Sequence, residues 1–320
     1  MKKHATLDAL FTEQEAEGRG VYTYTPAQQR ALHRRVQAGE VRLLAKGCYV
    51  RKKYWESLTY EQRGWCMLRT LACLHPDWIL AGTAAAWVSG LTSTFLLLRK
   101  FSVAATAGRN PYVEHGVRRV YLTEEETSSI RTINGFRVCG IERTIFDCAR
   151  SLPLTDSLPL CDKALRDELC THEQLVAFAL RHSRCRRARL AMRAISLASP
   201  LSESGGESMA RAVIIDLGFA PPQLQVNFED PVTHRLFRVD FLWKLPNGFS
   251  VIGEFDGRQK YVDEALRNGR SIEQVLDDEK SRESHLSIYG IGLLRFGYKE
   301  LKDPESLRIL LNKFHIPRAS

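Results

Sequence analysis

The segment Leu245-Pro-Asn-Gly-Phe249 lies between two apolar runs and constrains the fold more than any other feature of the chain. Proline presets the first position of a type I turn, asparagine suits the second, and glycine takes the left-handed conformation that closes a three-residue hairpin loop. Such a loop pairs Leu245 with Phe249. Counting outward sets Trp243 opposite Val251, Phe241 opposite Gly253 and Asp240 opposite Glu254. Residues directly opposite share a sheet face, with Cβ atoms about 5 Å apart. A two-residue loop, Asn247-Gly248, would shift the pairing by one and turn the two acids to opposite faces; the three-residue loop is the expected one. Two facing carboxylates repel unless something compensates. A divalent cation does so, because Mg²⁺ is held by one or two carboxylates together with substrate phosphate. Asp256 lies two residues beyond Glu254, hence on the same face, and Lys260 in the following loop brings a cation near. The other reading is an ordinary polar sheet face whose acids pair with Arg238, Lys260 or Arg282.

The flanking elements follow from periodicity and punctuation. Residues 199–206, SPLSESGG, read as a linker. A helix over Glu207–Leu217 ends at Gly218, and Pro221-Pro222 enforces the exit. Strands are expected at Gln223–Phe228, His234–Trp243, Phe249–Phe255 and Ile291–Gly297. A helix over Ser271–Tyr289 carries Lys280 and Arg282, and Lys299–Phe314 forms a closing helix.

The N-terminal 55 residues read as a separate unit. Leu7, Leu10 and Phe11 have helical spacing. A second helix begins with Thr25 as N-cap, Pro26 in the first turn and Gln28 completing a capping box, and it stops at Gly39. Val41–Lys52 then reads as a hairpin turning at Lys46-Gly47. A helix followed by a basic hairpin is the outline of a winged helix, in which the helix enters a DNA groove and the wing touches phosphate. Arg30, Arg34, Arg35 and Lys46 are the candidate nucleic-acid contacts, joined by His33, Arg42, Arg51, Lys52 and Lys53; Arg282 is a further candidate in the C-terminal region.

Between these regions, helices are expected at Gln62–Leu74, Thr83–Val88 and Gly140–Ser151, with strands at Phe101–Ala105, Val117–Leu122 and Phe136–Val138. Leu160–Ala198 reads as largely helical and carries an arginine-rich stretch from Arg181 to Arg193, either a phosphate-contacting face or a solvated one. The 21 residues Trp78–Leu98 contain no charge, enough to span a bilayer. Their glycines, threonines and serines fit a buried helix broken at Gly90 followed by an apolar strand, so no membrane association is expected. The division is therefore 1–55, 56–198 and 199–320, an α+β or α/β multidomain chain.

A net charge of +9, from 46 Lys+Arg against 37 Asp+Glu, favours an anionic partner such as nucleic acid. Eight cysteines without a C-x-x-C pair argue against a structural zinc site, and none follows Cys185, so reduced thiols in a cytoplasmic protein are expected. MKKHATLDALF lacks the apolar core of a signal peptide.

The segments ESMARAVIIDLGF, FRVDFLW, VIGEFDGRQKY, EKSRESHLSIYG and LLRF, spanning about residues 203–300, resemble in order the restriction-endonuclease-like, PD-(D/E)XK, superfamily. The resemblance is greatest to its branch related to very-short-patch repair endonucleases. It implies a mixed sheet flanked by helices and metal-dependent hydrolysis of DNA phosphodiesters. Asp240 and Glu254 would ligate Mg²⁺ or Mn²⁺, with Glu207 supporting a ligand or a bound water. The chain departs from the pattern at Asp256, which stands where E-x-K would place its lysine; Lys260 or Lys280 would have to supply that charge. QQRALHRRVQAGEVRLLAKGCYV, AGTAAAWVSGL and GIERTIFDCAR resemble the antitoxins of abortive-infection type IV toxin–antitoxin systems. That similarity implies transcriptional regulation, or a part in phage defence with a cognate toxin or another defence protein as partner. Two functions are thus expected as alternatives: a DNA-directed nuclease acting in defence or repair, or a non-catalytic regulator with a degenerate nuclease fold.

Overall fold

The structure is a computed structural model that describes residues 5–22, 25–99, 101–107, 117–229, 232–234, 236–257, 284–285 and 291–319. The chain is a mixed α+β protein of two compact units, Met1–Cys148 and Ala149–Ser320. The boundaries expected at 55/56 and 198/199 fall inside these units.

Unit 1 begins with α1 (Ala5–Ala16), β1 (Val21–Tyr22), α2 (Pro26–Gln37), β2 (Val41–Ala45) and β3 (Cys48–Arg51). The hairpin turns at Lys46-Gly47, where Gly47 has φ +76°, and β3 also takes β1 to give an antiparallel sheet ordered β1-β3-β2. Leu7 and Phe11 of α1, Leu32 of α2, and Val21, Val41 and Tyr49 of the strands bury a common core. Thr25 caps α2 by accepting the Gln28 N–H at 3.3 Å. Gln28 answers by accepting the Thr25 hydroxyl at 2.8 Å, rather than the backbone N–H of a capping box.

The rest of unit 1 comprises α3 (Lys52–Ser57), α4 (Tyr60–Leu74), β4 (Ile79–Ala81), α5 (Gly82–Val88), β5 (Ser102–Ala105), β6 (Arg118–Tyr121), α6 (Glu124–Ser128), β7 (Arg131–Ile133), β8 (Phe136–Val138) and all but the last three residues of α7 (Ile141–Ser151). The strands form a mixed sheet ordered β6-β5-β4-β8-β7. Leu68, Leu71, Ala84 and Trp87 of α4 and α5 pack with Val103 and Val138 of that sheet. The charge-free stretch is broken into β4, the wholly buried α5 and a 3₁₀ turn at Phe95–Arg99, where an apolar strand was expected. Helix α5 starts at Gly82, with Ala81 as its N-cap. Among the described residues no helix is long and apolar enough to cross a membrane. A buried ion cluster ties α7 to the strand–helix connection: Arg143 bonds Asp147 at 2.8 Å and Glu126 at 3.0 Å.

Unit 2 starts with the helices α8 (Leu154–Arg166), α9 (His172–Arg181), α10 (Ala188–Leu197) and α11 (Gly205–Asp216). Then come β9 (Gln223–Glu229), β10 (Leu236–Lys244), β11 (Ser250–Asp256), β12 (Gly292–Gly297), α12 (Tyr298–Lys302) and α13 (Pro304–Lys313). The sheet order is β12-β11-β10-β9, antiparallel except for the parallel pair β11–β12. One continuous closing helix was expected from Lys299; Pro304 instead opens a new helix, because proline cannot extend the one before it.

Helix α11 is buried from two directions. Ala210, Val213 and Ile214 pack with Phe241, Trp243, Phe255 and Phe296 of the sheet. Arg211 instead meets α8, where Asp162 takes its guanidinium at 2.7 and 2.8 Å; both side chains are buried. The segment read as a linker is pinned as well: Ser199 donates its N–H to Asp162 at 2.8 Å, and the Ser202 carbonyl accepts Arg166. Residues 149–198 are therefore part of the scaffold that holds the C-terminal sheet.

Candidate carboxylate site and basic face

The hairpin register is the expected one. Paired residues run from Lys244/Ser250 through Trp243/Val251 to Phe241/Gly253, and Leu245 donates its N–H to Phe249 at 2.8 Å. Gly248, at φ +87°, supplies the left-handed loop residue. One step further would set Asp240 against Glu254, but there the pairing between β10 and β11 stops. Asp240 Oδ2 instead accepts the Phe255 N–H at 2.9 Å. A side chain thus replaces the main-chain acceptor at the point where the strands part, while β11 continues to pair with β12 as far as Asp256/Gly297.

Glu207 comes beside Asp240 from the first turn of α11. Gly206 brings it close, since a Cβ at that position would lie 2.3 Å from the Phe255 ring. The Glu207 carboxylate accepts the Glu203 N–H at 2.9 Å, the Ser204 hydroxyl at 2.8 Å and the Gln225 side-chain amide at 3.0 Å. Burial pushes its pKa above the ordinary glutamate value, and the negative charge of Asp240 adds to that shift against these hydrogen bonds. Gln225 sits across from Asp240 between the pairs Val239/Val226 and Phe241/Leu224. Its φ of +50° is a left-handed conformation that side-chain-bearing residues rarely adopt.

Glu254, half-buried, faces Arg295 across the parallel pair, with Arg295 Nε 3.3 Å from its carboxylate. Arg295 and Gln225 are members of the site that sequence reasoning missed. Arg295 lies in the quoted segment LLRF, and the pairing of β11 with β12 is what brings it to Glu254. Arg238, offered above as a partner for the acids, pairs instead with Glu203. Asp256 is exposed at the end of β11. Lys260, Lys280 and Arg282 lie outside the described residues.

Among the described residues no three of His, Cys, Asp and Glu form a ready metal cage. Mg²⁺ does not require one, since it keeps several waters and takes one or two carboxylates with substrate oxygens. The donor set suits such an ion: hard oxygens, and an Asp240 whose Oδ1 has no partner among the described residues while Oδ2 is held. A depression of about 720 Å³ is lined both by the hairpin loop, including Asn247 and Phe249, and by the end of β9, including Asn227. Its acid, Glu229, is paired with His234 at 2.8 Å, and none of the three carboxylates above lines it.

In unit 1, Arg30, His33 and Arg34 stand exposed on α2 and, with Pro26, Gln29 and Tyr49, line a depression of about 760 Å³. Lys46 is exposed at the hairpin turn. Arg35 does not belong to this face: it is buried, and its guanidinium binds Asp8 of α1 at 2.6 Å. Arg51 is likewise turned inward, to Glu15 at 2.9 Å. Residues 1–55 hold 11 Lys+Arg and 5 Asp+Glu, so +6 of the chain's +9 is concentrated there. None of the eight cysteines is in a disulfide; six are buried and only Cys185 is exposed. Burial pushes the Cys66 thiol up to about 11 and that of Cys139 to about 12, far from nucleophilic use. No protein-family model matches the chain, and no curated protein matches it.

Proposed function

We propose that unit 2 is a metal-dependent phosphodiesterase of restriction-endonuclease-like fold, directed to DNA by a winged helix at the start of unit 1. The observation that carries this reading is Asp240 beside Glu207 where β10 and β11 part, held by the main chain of the residue that follows Glu254, with Arg295 against Glu254. Asp240 and Glu254 would hold Mg²⁺ or Mn²⁺. When bound, that ion lowers the pKa of a water and neutralises charge building on the phosphate. The chain's own residues do the positioning. The Phe255 N–H fixes Asp240; Ser204, Gln225 and the Glu203 N–H fix Glu207; and Arg295 offers a guanidinium to a phosphate oxygen next to Glu254. With aspartate at position 256, this last group takes the role that a lysine two residues after Glu254 would otherwise have.

The test is incubation of the whole protein with plasmid and single-stranded DNA in Mg²⁺ or Mn²⁺, beside Asp240→Ala and Glu254→Ala chains. Cleavage that both substitutions abolish establishes the activity; cleavage that survives both rejects the site.

A second reading has its own support. The exposed Arg30, His33 and Arg34 on α2, within a segment that holds two-thirds of the net charge, suit a transcriptional regulator of antitoxin type. In that case unit 2 is a degenerate fold that binds a partner such as a toxin. Salt-sensitive, sequence-specific binding to the protein's own promoter, without cleavage in either metal, would favour it.

A further inference from the structure

Between Glu173 and Glu203 the chain has six arginines, no lysine and no acidic residue. Arg181 ends α9, Arg184, Arg186 and Arg187 lie in the turn that follows, and Arg189 and Arg193 are in α10. All six are exposed. Two are engaged: Arg181 lies 5.6 Å over the Phe178 ring, and Arg193 binds Asp216 at 2.8 Å. Arg184, Arg186, Arg187 and Arg189 meet no carboxylate among the described residues. Four like charges within six residues repel one another, and Arg187 and Arg189 stand at the N-cap and in the first turn of α10, the positive end of that helix. Arg187, moreover, holds φ +62° without being glycine. An external polyanion relieves the charge repulsion among the four arginines.

We infer that this turn is a second polyanion-binding surface, carried by unit 2 itself and fitted to the phosphate backbone of duplex DNA. The uniform choice of arginine favours phosphate, because the planar guanidinium donates two parallel hydrogen bonds to it and an ammonium does not. An anionic membrane is the poorer fit. A membrane-surface helix needs its apolar face free to enter lipid, whereas Ala188, Ala191, Ala194 and Ile195 of α10 are buried in the protein. The surface is independent of catalysis at Asp240 and Glu254, and a chain unable to cleave would still bind through it.

The test uses the whole chain and a short DNA duplex of arbitrary sequence, with affinity measured by anisotropy between roughly 50 and 200 mM salt. One variant carries Arg184→Gln, Arg186→Gln, Arg187→Gln and Arg189→Gln. Its charge-matched comparison carries Lys244→Gln, Lys299→Gln, Lys302→Gln and Lys313→Gln, four exposed lysines elsewhere in unit 2. Losing about four phosphate contacts should flatten the slope of log affinity against log salt by about 3.6, with an unchanged melting temperature. The lysine variant should move the slope by less than about 1. The arginine effect should persist in a chain that also carries Arg30→Ala and Arg34→Ala, which separates it from binding through α2. Equal slopes for the two four-site variants, an unchanged slope, or lost binding to phosphatidylserine vesicles with DNA affinity intact would each overturn the inference.

Discussion

The carboxylate of Asp240 accepts the main-chain N–H of Phe255 at 2.9 Å, at the place where two antiparallel strands stop pairing. The acid is thus held by the strand that carries Glu254, before any ligand arrives. Asp240→Asn retains an acceptor for that N–H and should melt close to the wild type. Asp240→Ala leaves the N–H unpaired and should lose about 1–3 kcal/mol in urea denaturation. Both should lose metal-dependent cleavage, so the pair of variants separates the structural duty of the side chain from its chemical one.

Arg295 is exposed beside Glu254, so its removal should cost the fold little. We expect Arg295→Ala to reduce kcat/KM for DNA cleavage by roughly 100-fold, the scale seen when one positioned charge-stabilising donor is lost. Arg295→Lys should recover part of the rate. Single-turnover assays on chains of matched melting temperature provide the check.

The Asp162–Arg211 pair is fully buried, and removing one partner strands a charge. Asp162→Ala should therefore cost about 3–5 kcal/mol. An apolar double replacement, Asp162→Leu with Arg211→Met, should be far milder, and urea unfolding of both chains would show it.

Glu207 is held above its ordinary pKa by burial. A carboxyl shifted upward on folding contributes stability that is complete below the unfolded value and is lost as pH rises through the folded one. The stability of Glu207→Gln relative to wild type should accordingly increase as pH climbs above the ordinary glutamate value of 4.5. Equal pH profiles from thermal melts of the two chains would contradict this.

Neighbouring arginines on α2 should behave in opposite ways. Arg34→Ala removes an exposed charge and should weaken DNA binding without altering the melting temperature. Arg35→Ala removes the partner of Asp8 and part of the packing against α1, and should lower the melting temperature with a smaller effect on affinity.

What was legible in the sequence was local. Pro246-Asn247-Gly248 encodes its own loop, so the register of β10 on β11 followed from three residues. The parting of those strands did not, because it depends on a side chain taking a main-chain role. Arg35 has the same composition cue as Arg34, and only Asp8, 27 residues earlier, distinguishes them. Arg295 reaches Glu254 through a parallel pairing that no turn specifies. Pro304 lies inside the expected helix Lys299–Phe314, and its ring alone is enough to divide that run in two.

The ion pair between α8 and α11 also bears on how this protein can be dissected. A fragment begun at residue 199 would keep every acid of the candidate site yet leave Arg211 without Asp162, and the helix that presents Glu207 without its outer support. The transplantable module begins after α7, between Ser151 and Leu154, and recombination between related genes should preserve the same junction.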